Sequence, residues 1–326
     1  MTTVAMDVGK NRTYCVIKNN GQIVREGYTP TTSEGFGEML KDVDEPTIIV
    51  EASSTIERIA MLLNGRDIRV ANPMKVKLIS GSMKKTDRND AHILLELYQR
   101  NYLPESYLPD WETRENRNLC RTRAFLVRQR AALKNRIKGQ AYRQCIDFTH
   151  FNRSVLEMLK SSSPVICILV EELENMNNVI KKLDGEIRER ASANHYARLI
   201  DTIPGIDAYS ALAIASEIAD VSRFPEEGNL FSYAGLVPRT YSTGQIDYKG
   251  RIVKGDVYLK TLLIECSFVH VSLRKDSPVA VAYRKLAERI GGGKARVAAA
   301  RNLLRMIYYM MKRDMEYGPY TGHRAG

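Results

Sequence analysis

The sequence lacks the features that mark several common protein classes. Its five cysteines are scattered, with no Cys-x-x-Cys pair, so neither a disulfide framework nor a structural zinc site is expected. No apolar run approaches the roughly 18 residues that a transmembrane helix needs, and no basic segment followed by an apolar core opens the chain. These absences predict a cytoplasmic protein without membrane contact.

A phosphate-binding loop for ATP is also missing. The segment GGGK at 291–294 lacks the Gly-x-x-x-x-Gly-Lys-Ser/Thr spacing, so it is interpreted as a turn before a helix. The five histidines are dispersed and are interpreted as structural, although His92 is close enough to an acidic pair to face the same site.

Acidic residues are outnumbered. The chain has 49 Lys and Arg against 38 Asp and Glu, a formal net charge of +11, and a pI near 9.3. This excess favours polyanionic partners, of which nucleic acid is the leading candidate. At 326 residues the chain is long enough for two domains with separate cores.

Two short β-branched runs, TTVAMDV and EPTIIVEA, read as buried strands, and each ends in a carboxylate. These carboxylates are Asp7 and Glu51. In open α/β sheets the ligand crevice lies beyond the carboxyl ends of the strands. We therefore expect Asp7 and Glu51 to project towards one site if their strands are neighbours.

Two more carboxylates, Asp87 and Asp90, open a predicted helix in KKTDRNDAHILLEL, and their i, i+3 spacing places them on one face. Carboxylate oxygens suit Mg²⁺ or Mn²⁺, and a two-metal site stabilises both oxygens of a phosphoryl transfer. Taken singly, each acid could instead be a helix cap or a strand end.

The first 105 or so residues alternate strand-like and helix-like segments. The turn NNGQ between TYCVIK and IVREGY indicates a hairpin, so the sheet begins antiparallel before its crossovers. This order predicts a mixed sheet flanked by helices, the outline of an RNase H-like domain. A linker follows at PESYLPD, between Pro104 and Pro109.

A long basic helix is predicted over 112–143, with ten Lys and Arg against two Glu. Such a helix can follow phosphates, and the residues predicted to bind nucleic acid are Arg114, Arg117, Arg121, Arg123, Arg128, Arg130, Lys134 and Arg136. The alternative is a solvated face, or one half of a helical pair. Its apolar seam would be Leu119, Phe125, Leu126, Leu133 and Ile137. The helical stretch 154–191 would return antiparallel, for pairing or dimerisation.

The segment DTIPGIDAYSALAIASEIAD resembles a helix-hairpin-helix element in which backbone N–H groups near Gly205 could hold a phosphate, the alternative being a plain helical turn. The glycine-punctuated segment after it carries Ser242 and Thr243. Their hydroxyls are nucleophile candidates, although such loops are common without catalysis.

Taken in order, these motifs resemble a known family. MDVGK, VEAS, KTDRNDA, IPGI, SYAGLVPR, a hydroxyl before Gly244, and KARVAAARNLLRMIYYMMK are similar to the DEDD transposases of bridge-RNA-guided insertion sequences and the related Piv-type DNA invertases. The resemblance extends from about residue 3 to about residue 313.

The resemblance implies an α/β plus α architecture. It comprises a RuvC-like (RNase H-like) N-terminal domain over 1–108, a helical coiled-coil region over 109–195, and a mainly helical transposase domain over 196–326. It further implies a metal-binding tetrad, Asp7, Glu51, Asp87 and Asp90, with Mg²⁺ or Mn²⁺.

The implied partners are a guide (bridge) RNA, target and donor double-stranded DNA, and further copies of the chain in a dimer or tetramer. The implied reaction cleaves DNA through a serine hydroxyl, leaves a phosphoserine link, exchanges strands and rejoins them. Acids from one subunit and the serine from another would form a composite site.

The family pattern places Ser directly before the glycine, whereas Thr243 precedes Gly244 here and Ser242 is one residue earlier. Alignment register favours Thr243, but a primary hydroxyl is less hindered, so we predict Ser242. Two other functions stay open: a metal-dependent junction resolvase or nuclease that uses water, and a non-catalytic nucleic-acid-binding protein.

Overall fold

The computed structural model describes residues 2–80, 86–243, 246–252 and 255–318, and follows the strands within 238–252 as backbone. The chain divides into two compact units, Met1–Leu108 and Pro109–Gly326. No helix in the described part is long and apolar enough to cross a membrane.

The first unit is built on a six-stranded sheet with the order β3-β2-β1-β4-β5-β6. The strands are β1 (Thr2–Val8), β2 (Arg12–Asn19), β3 (Gln22–Pro30), β4 (Thr47–Glu51), β5 (Asp67–Ala71) and β6 (Glu105–Ser106). The first three strands and the β5–β6 pair are antiparallel, whereas β1, β4 and β5 are parallel. The predicted mixed sheet is confirmed.

The predicted hairpin at NNGQ is confirmed between β2 and β3. Asn20 (φ 47°) and Gly21 (φ 87°) both have positive φ, as the two central residues of a type I′ turn require.

Helices cover both faces of this sheet. They are α1 (Ser33–Met39), α2 (Ile56–Leu62), α3 (Pro73–Ser80) and α4 (Asp87–Gln99). Because strand residues alternate between faces, Met6, Ile48 and Val50 pack on the side of α1 and α2. Ala5 and Ile49 pack on the opposite side, against Leu94 and neighbouring residues of α4.

The second unit is almost entirely helical. Its elements are α5 (Trp111–Tyr142), α6 (Arg153–Ser162), α7 (Pro164–Ala193), α8 (His195–Asp201), α9 (Ala208–Ile218), α10 (Glu227–Tyr233), the hairpin β7 (Pro238–Thr243) and β8 (Ile246–Ile252), α11 (Val257–Leu273), α12 (Pro278–Ile290) and α13 (Gly292–Arg313). Buried residues of α9, α11 and α13 form its main core.

The predicted antiparallel return is confirmed, since α7 packs along α5 with Arg123 opposite Asp184 and Arg130 opposite Asn177. The predicted stretch 154–191 is interrupted, because Ser163 is extended and Pro164 starts a new helix, α7.

The predicted apolar seam of α5 is confirmed in part. Ile137 is fully buried, and Leu119 and Leu133 are partly buried and pack against core clusters, whereas Phe125 is half exposed. The observed seam follows alternating steps of four and three residues through Asn116, Cys120, Arg123, Val127, Arg130, Lys134, Ile137 and Ala141. Its middle is polar, so a search for apolar residues alone also selected Phe125 and Leu126 there.

Candidate active site and nucleic-acid surfaces

Asp7 and Glu51 stand at the ends of neighbouring parallel strands. The β1–β4 register pairs Ala5 with Ile49 and Met6 with Val50, so Asp7 and Glu51 are the next residues on the two strands. Strand alternation places both on the face that carries Ala5 and Ile49, and both are partly buried. The prediction that the two acids lie at one sheet edge agrees with this register.

Helix α4 covers that same face and carries the other two acids in its first turn. Thr86 caps the helix, since its Oγ1 accepts a hydrogen bond from the Asn89 amide at 3.2 Å. Asp87 is exposed and Asp90 is partly buried. The cap therefore fixes where α4 begins, and with it the position of the acidic pair.

A row of tyrosines connects Asp7 to Asp87 across three strands. The register pairs Asp7 with Tyr14 and Tyr14 with Tyr28, and the two rings meet edge to face at 4.9 Å. The Tyr28 hydroxyl donates a hydrogen bond to Asp87 Oδ2 at 3.1 Å. The pKa of Tyr28 is raised, mainly because the hydroxyl is partly desolvated and secondly because it is hydrogen-bonded to Asp87. The row positions Asp87 on the side of the sheet that carries Asp7.

Glu26 of β3 provides a second attachment for α4, which the sequence did not reveal. Its carboxylate accepts from Arg88 Nη2 at 2.6 Å and lies 2.9 Å from His92 Nε2. His92 is thus held by Glu26 and has a structural contact, as its interpretation from sequence proposed. Glu26 and Tyr28 share one face of an edge strand, a juxtaposition that appears only once β3 is paired.

The four carboxylates supply the hard oxygen ligands that Mg²⁺ and Mn²⁺ prefer. Within residues 2–80, 86–243, 246–252 and 255–318, however, no group of three or more His, Cys, Asp or Glu side chains is close enough to hold a metal ion. The donor set fits a divalent metal, although the predicted convergence of all four acids is not formed as a cluster in this part of the chain.

Ser242 and Thr243 occupy the last two positions of β7. In the antiparallel pairing Ser242 lies opposite Asp247 and Thr243 opposite Ile246. Gly244, the glycine of the family pattern, lies outside the described residues. The candidate nucleophiles therefore stand at the tip of a β-ribbon rather than in the irregular loop expected from the glycine content.

The base of this ribbon is fixed by close packing and by a buried ion network. A Cβ on Gly255 would lie 2.3 Å from the Gly235 nitrogen, so the backbones touch there and only glycine fits. The next residue, Asp256, donates its amide to the Tyr233 carbonyl at 2.9 Å and caps α11.

Arg121 forms ion pairs with both Asp256 and Glu217. The Glu217 side chain is only 1% exposed. Arg121 donates to both Glu217 oxygens, at 2.7 and 3.0 Å, and to Asp256 Oδ2 at 3.1 Å. Burial raises the pKa of Glu217, and the hydrogen bonds from Arg121 oppose that rise. Arg117 adds hydrogen bonds to the Ser216 and Glu217 carbonyls.

The predicted nucleic-acid residues of α5 therefore divide into two sets. Arg117, Arg121 and Arg123 bond to carbonyls or carboxylates within this unit, and Arg123 also stacks on Tyr209 at 4.1 Å. Part of the excess of ten basic over two acidic residues in this helix therefore stabilises the unit itself and does not serve nucleic-acid binding. Among the remaining five, Arg114 donates to the Asp110 carbonyl and Arg130 to Asn177 Oδ1, each at 3.4 Å. Lys134 is partly buried, and Arg128 and Arg136 are exposed.

Gly205 has a packing role in the turn between α8 and α9. Its φ is +95°, and a Cβ would lie 2.8 Å from the backbone nitrogen of His270 in α11. The Pro204 carbonyl accepts a hydrogen bond from His270 Nδ1 at 2.8 Å. Helices α8 and α9 are joined by this tight turn, which faces α11 at Gly205 and Pro204.

Two family models match the chain. The IS110-type DEDD transposase model, described as "Transposase", matches residues 4–143, and the model "Transposase IS116/IS110/IS902 family" matches residues 197–284. The chain carries the domains of an IS110/IS116-family DEDD transposase. It is a transposase or recombinase of that family, and the DEDD domain implies dependence on a divalent metal.

Curated relatives of this transposase extend over most of both chains. The transposase for insertion sequence element IS1111A of Coxiella burnetii is 28% identical, covering 78% of this chain and 73% of the relative. A probable family 20 transposase of Pseudomonas aeruginosa is 26% identical, with 78% and 80% covered. The pilin gene-inverting protein of Moraxella bovis is 25% identical, with 83% and 81% covered.

Proposed function

We propose that this transposase cleaves, exchanges and rejoins DNA strands through a side-chain hydroxyl, aided by carboxylates that bind a divalent metal. The observation that carries this proposal is the arrangement in the first unit. Asp7 and Glu51 end adjacent parallel strands on the face covered by α4, whose first turn bears Asp87 and Asp90. This arrangement supports a RuvC-like domain at the N-terminus.

In the proposed reaction the hydroxyl of Ser242 loses its proton and its oxygen forms a bond to a DNA phosphorus. The bond from phosphorus to one bridging oxygen breaks, and that oxygen leaves as a strand-end hydroxyl after taking a proton. A hydroxyl of a second strand then attacks the phosphoserine, which rejoins DNA and restores the serine. Thr243 is the alternative nucleophile.

The proposed ligands for the metal are Asp7, Glu51, Asp87 and Asp90. When bound, a divalent metal supplies charge stabilisation at the oxygens of the reacting phosphate. The chain's own residues position these ligands, with Tyr28 donating to Asp87 and Glu26 holding α4 through Arg88.

The proposed partners are DNA and a guide RNA. The relatives are named as transposases and as a protein that inverts a pilin gene, and both names imply DNA as substrate. The guide RNA is proposed from the family resemblance alone, and the net charge of +11 suits any polyanionic partner. The three-part domain division at 108 and 195, and the dimer or tetramer, belong to the same proposal.

The experiment is plasmid recombination with the native flanking RNA and Mg²⁺, comparing wild type with Asp7→Asn, Glu51→Gln and Asp90→Asn. We expect each variant to lose roughly two orders of magnitude in rate, because several kcal/mol of charge stabilisation is removed. Glu57→Gln, at an exposed carboxylate of α2, is the matched control and should recombine normally. Normal recombination by all three variants would reject the metal-site assignment.

A further inference from the structure

Helices α12 and α13 fold back on each other as a helical hairpin. Gly291 ends α12 and precedes α13, so a single residue joins the two helices. Pro278 and Ala282 of α12 line the same cavity as Asn302 and Met306 of α13, which places the first turn of α12 beside the middle of α13. The opposite end of the hairpin is therefore its glycine-rich tip at 291–293.

This hairpin is strongly basic. Residues 281–301 contain six Lys and Arg against a single acid, Glu288, whereas the whole chain has 49 basic residues against 38 acidic ones. Most of the segment lies beyond residues 197–284, which the second family model matches. The residues predicted to bind nucleic acid and the proposed reaction include none of these six cations, so their charge needs a separate explanation.

The cations of α12 lie on its solvent face. Val279 and Ala280 are buried against the rest of the unit, whereas Arg284, Lys285 and Arg289 are exposed. Arg289 is four residues beyond Lys285, so these two side chains lie on the same face of the helix. The charge of α12 is therefore presented to solvent.

The start of α13 adds two more exposed cations, Lys294 and Arg296. Arg296 lies 4.8 Å from the centre of the Phe268 ring in α11. This cation–π contact holds the guanidinium without neutralising its charge. Positive charge therefore continues past the tip of the hairpin.

The fold does not use the charge of α12. In the part of the chain that the structure describes, neither the three α12 cations nor Lys294 forms an ion pair or a hydrogen bond with another residue. The three bonded arginines of α5 differ, since their partners lie within the unit. Like charges one turn apart, as at Lys285 and Arg289, destabilise a helix. The hairpin thus accepts a cost in stability that an anionic ligand would offset.

The face suits a phosphate backbone better than it suits bases. Surfaces that bind single strands add aromatic rings on which bases stack. The sequence 278–301 has one aromatic residue, Tyr283, which is partly buried, and Arg296 lies over Phe268. Double-stranded DNA carries one negative charge per 1.7 Å of its axis, about twice the density of one strand. A face that recognises charge alone therefore favours a duplex.

We infer that the outer face of the α12–α13 hairpin binds the phosphate backbone of double-stranded DNA, without reading its sequence. The inference rests on the proposed function only for DNA as the partner. The hairpin takes no part in the chemistry, so it contributes to the affinity for the substrate and not to the rate of the bound complex.

The test measures binding of the full-length protein to fluorescent DNA duplexes of two unrelated sequences by anisotropy, over a series of salt concentrations. The hairpin variant is Arg284→Gln/Lys285→Gln/Arg289→Gln. The matched control is Lys181→Gln/Lys182→Gln/Arg188→Gln, which removes three exposed cations from α7, a helix with six acids against four bases. Both triple variants lower the net charge equally.

We expect the hairpin variant to bind both duplexes at least about tenfold more weakly, and its salt slope to fall by about two to three, because each lost phosphate contact removes about 0.9. The control should change far less. Glu288→Gln removes the one acid of this face and should tighten binding about twofold, a gain that a folding defect would not produce. Thermal unfolding midpoints of all variants are measured alongside.

Recombination separates affinity from chemistry. The hairpin variant should recombine slowly at low DNA concentration and approach the wild-type rate at saturating DNA, whereas Asp7→Asn should stay slow. A photo-crosslinking residue placed at Val281, which is exposed on α12, identifies the polymer when DNA and the flanking RNA carry different labels. We expect the DNA label to be crosslinked.

Three results would overturn the inference: wild-type affinity in the hairpin variant, an equal loss in the α7 control, or a crosslink to RNA alone. If the hairpin variant does not fold, Glu288→Gln decides, and unchanged affinity there rejects the inference. In each case recombination by wild type continues and the proposed function stands. If wild type binds neither duplex, the proposed function fails together with the inference.

Discussion

Gly205 illustrates how a single residue can be read in two ways. The sequence IPGI suggests a phosphate-binding turn, but φ of +95° and the 2.8 Å approach to the His270 nitrogen make this glycine a packing requirement. The residue type was predictable from a tight turn. The close approach was not, because it depends on α11, which lies more than fifty residues later in the chain.

We predict that Gly205→Ala destabilises the protein by about 2 kcal/mol or more, because the new Cβ meets backbone that cannot move easily and φ is positive. Gly228→Ala is the matched control. Gly228 lies within α10 with open space around its Cβ position, so alanine there should be neutral or stabilise by up to about 1 kcal/mol. Denaturant unfolding measures both, and equal stabilities would contradict the packing role.

At the scale of elements, β3 and α4 show what the sequence could and could not predict. The hairpin at NNGQ and the helix beginning at Asp87 were predicted from local signals and both form, although Thr86, and neither acid, caps the helix. The bonds from Tyr28 to Asp87 and from Arg88 to Glu26 join residues about sixty positions apart. Such pairs follow only from strand register, which a single sequence does not specify at an edge strand.

We predict that Tyr28→Phe lowers recombination several-fold and raises the Mg²⁺ concentration needed for half-maximal rate, since Asp87 loses the donor that positions it. The free energy of unfolding should change by less than about 1 kcal/mol, because Tyr28 is half exposed. Metal titrations of recombination test this. An unchanged metal requirement would show that the hydroxyl has no positioning role.

The antiparallel pair of α5 and α7 places a charged pair, Arg123 and Asp184, where the two helices meet. Asp184→Ala should cost about 1 to 2 kcal/mol, because it leaves a partly buried guanidinium without its carboxylate. The double variant Arg123→Leu/Asp184→Leu should be neutral or more stable, since apolar residues suit the seam.

Glu186→Ala is the control. It removes an exposed i, i+4 partner of Arg190 and should change stability by less than about 0.5 kcal/mol.

These variants are compared by urea unfolding. If the double leucine variant is less stable than Asp184→Ala, the prediction that apolar residues suit these positions is wrong. The Arg123–Asp184 ion pair would then itself stabilise the pair of helices. This polar middle also explains why a search for apolar positions selected Phe125 and Leu126 along with Leu133 and Ile137, which do pack against a core cluster.

At the scale of the whole molecule, the sequence predicted the architecture well. The mixed sheet, the helical remainder and the antiparallel long helices were all predictable, because they follow from periodicity and local turn signals. The basic excess was a weaker guide. Arg117, Arg121 and Arg123 are bonded within their own unit, so net charge overstates the surface left for phosphates.

The proposed role of the hydroxyl belongs to the whole reaction, because the proposal requires DNA, metal and the ribbon together. Ser242 and Thr243 are successive backbone positions of β7, and the proposed reaction uses one hydroxyl. One of them should be required and the other tolerant of alanine.

The most direct measurement is a denaturing gel of labelled DNA after reaction with wild type, Ser242→Ala and Thr243→Ala, with the linked residue identified by mass spectrometry. We predict a protein-linked DNA band that is lost in Ser242→Ala and kept in Thr243→Ala. Loss only in Thr243→Ala would move the nucleophile by one residue. Cleaved DNA without any protein-linked band in wild type would contradict the hydroxyl mechanism and favour a nuclease that uses water.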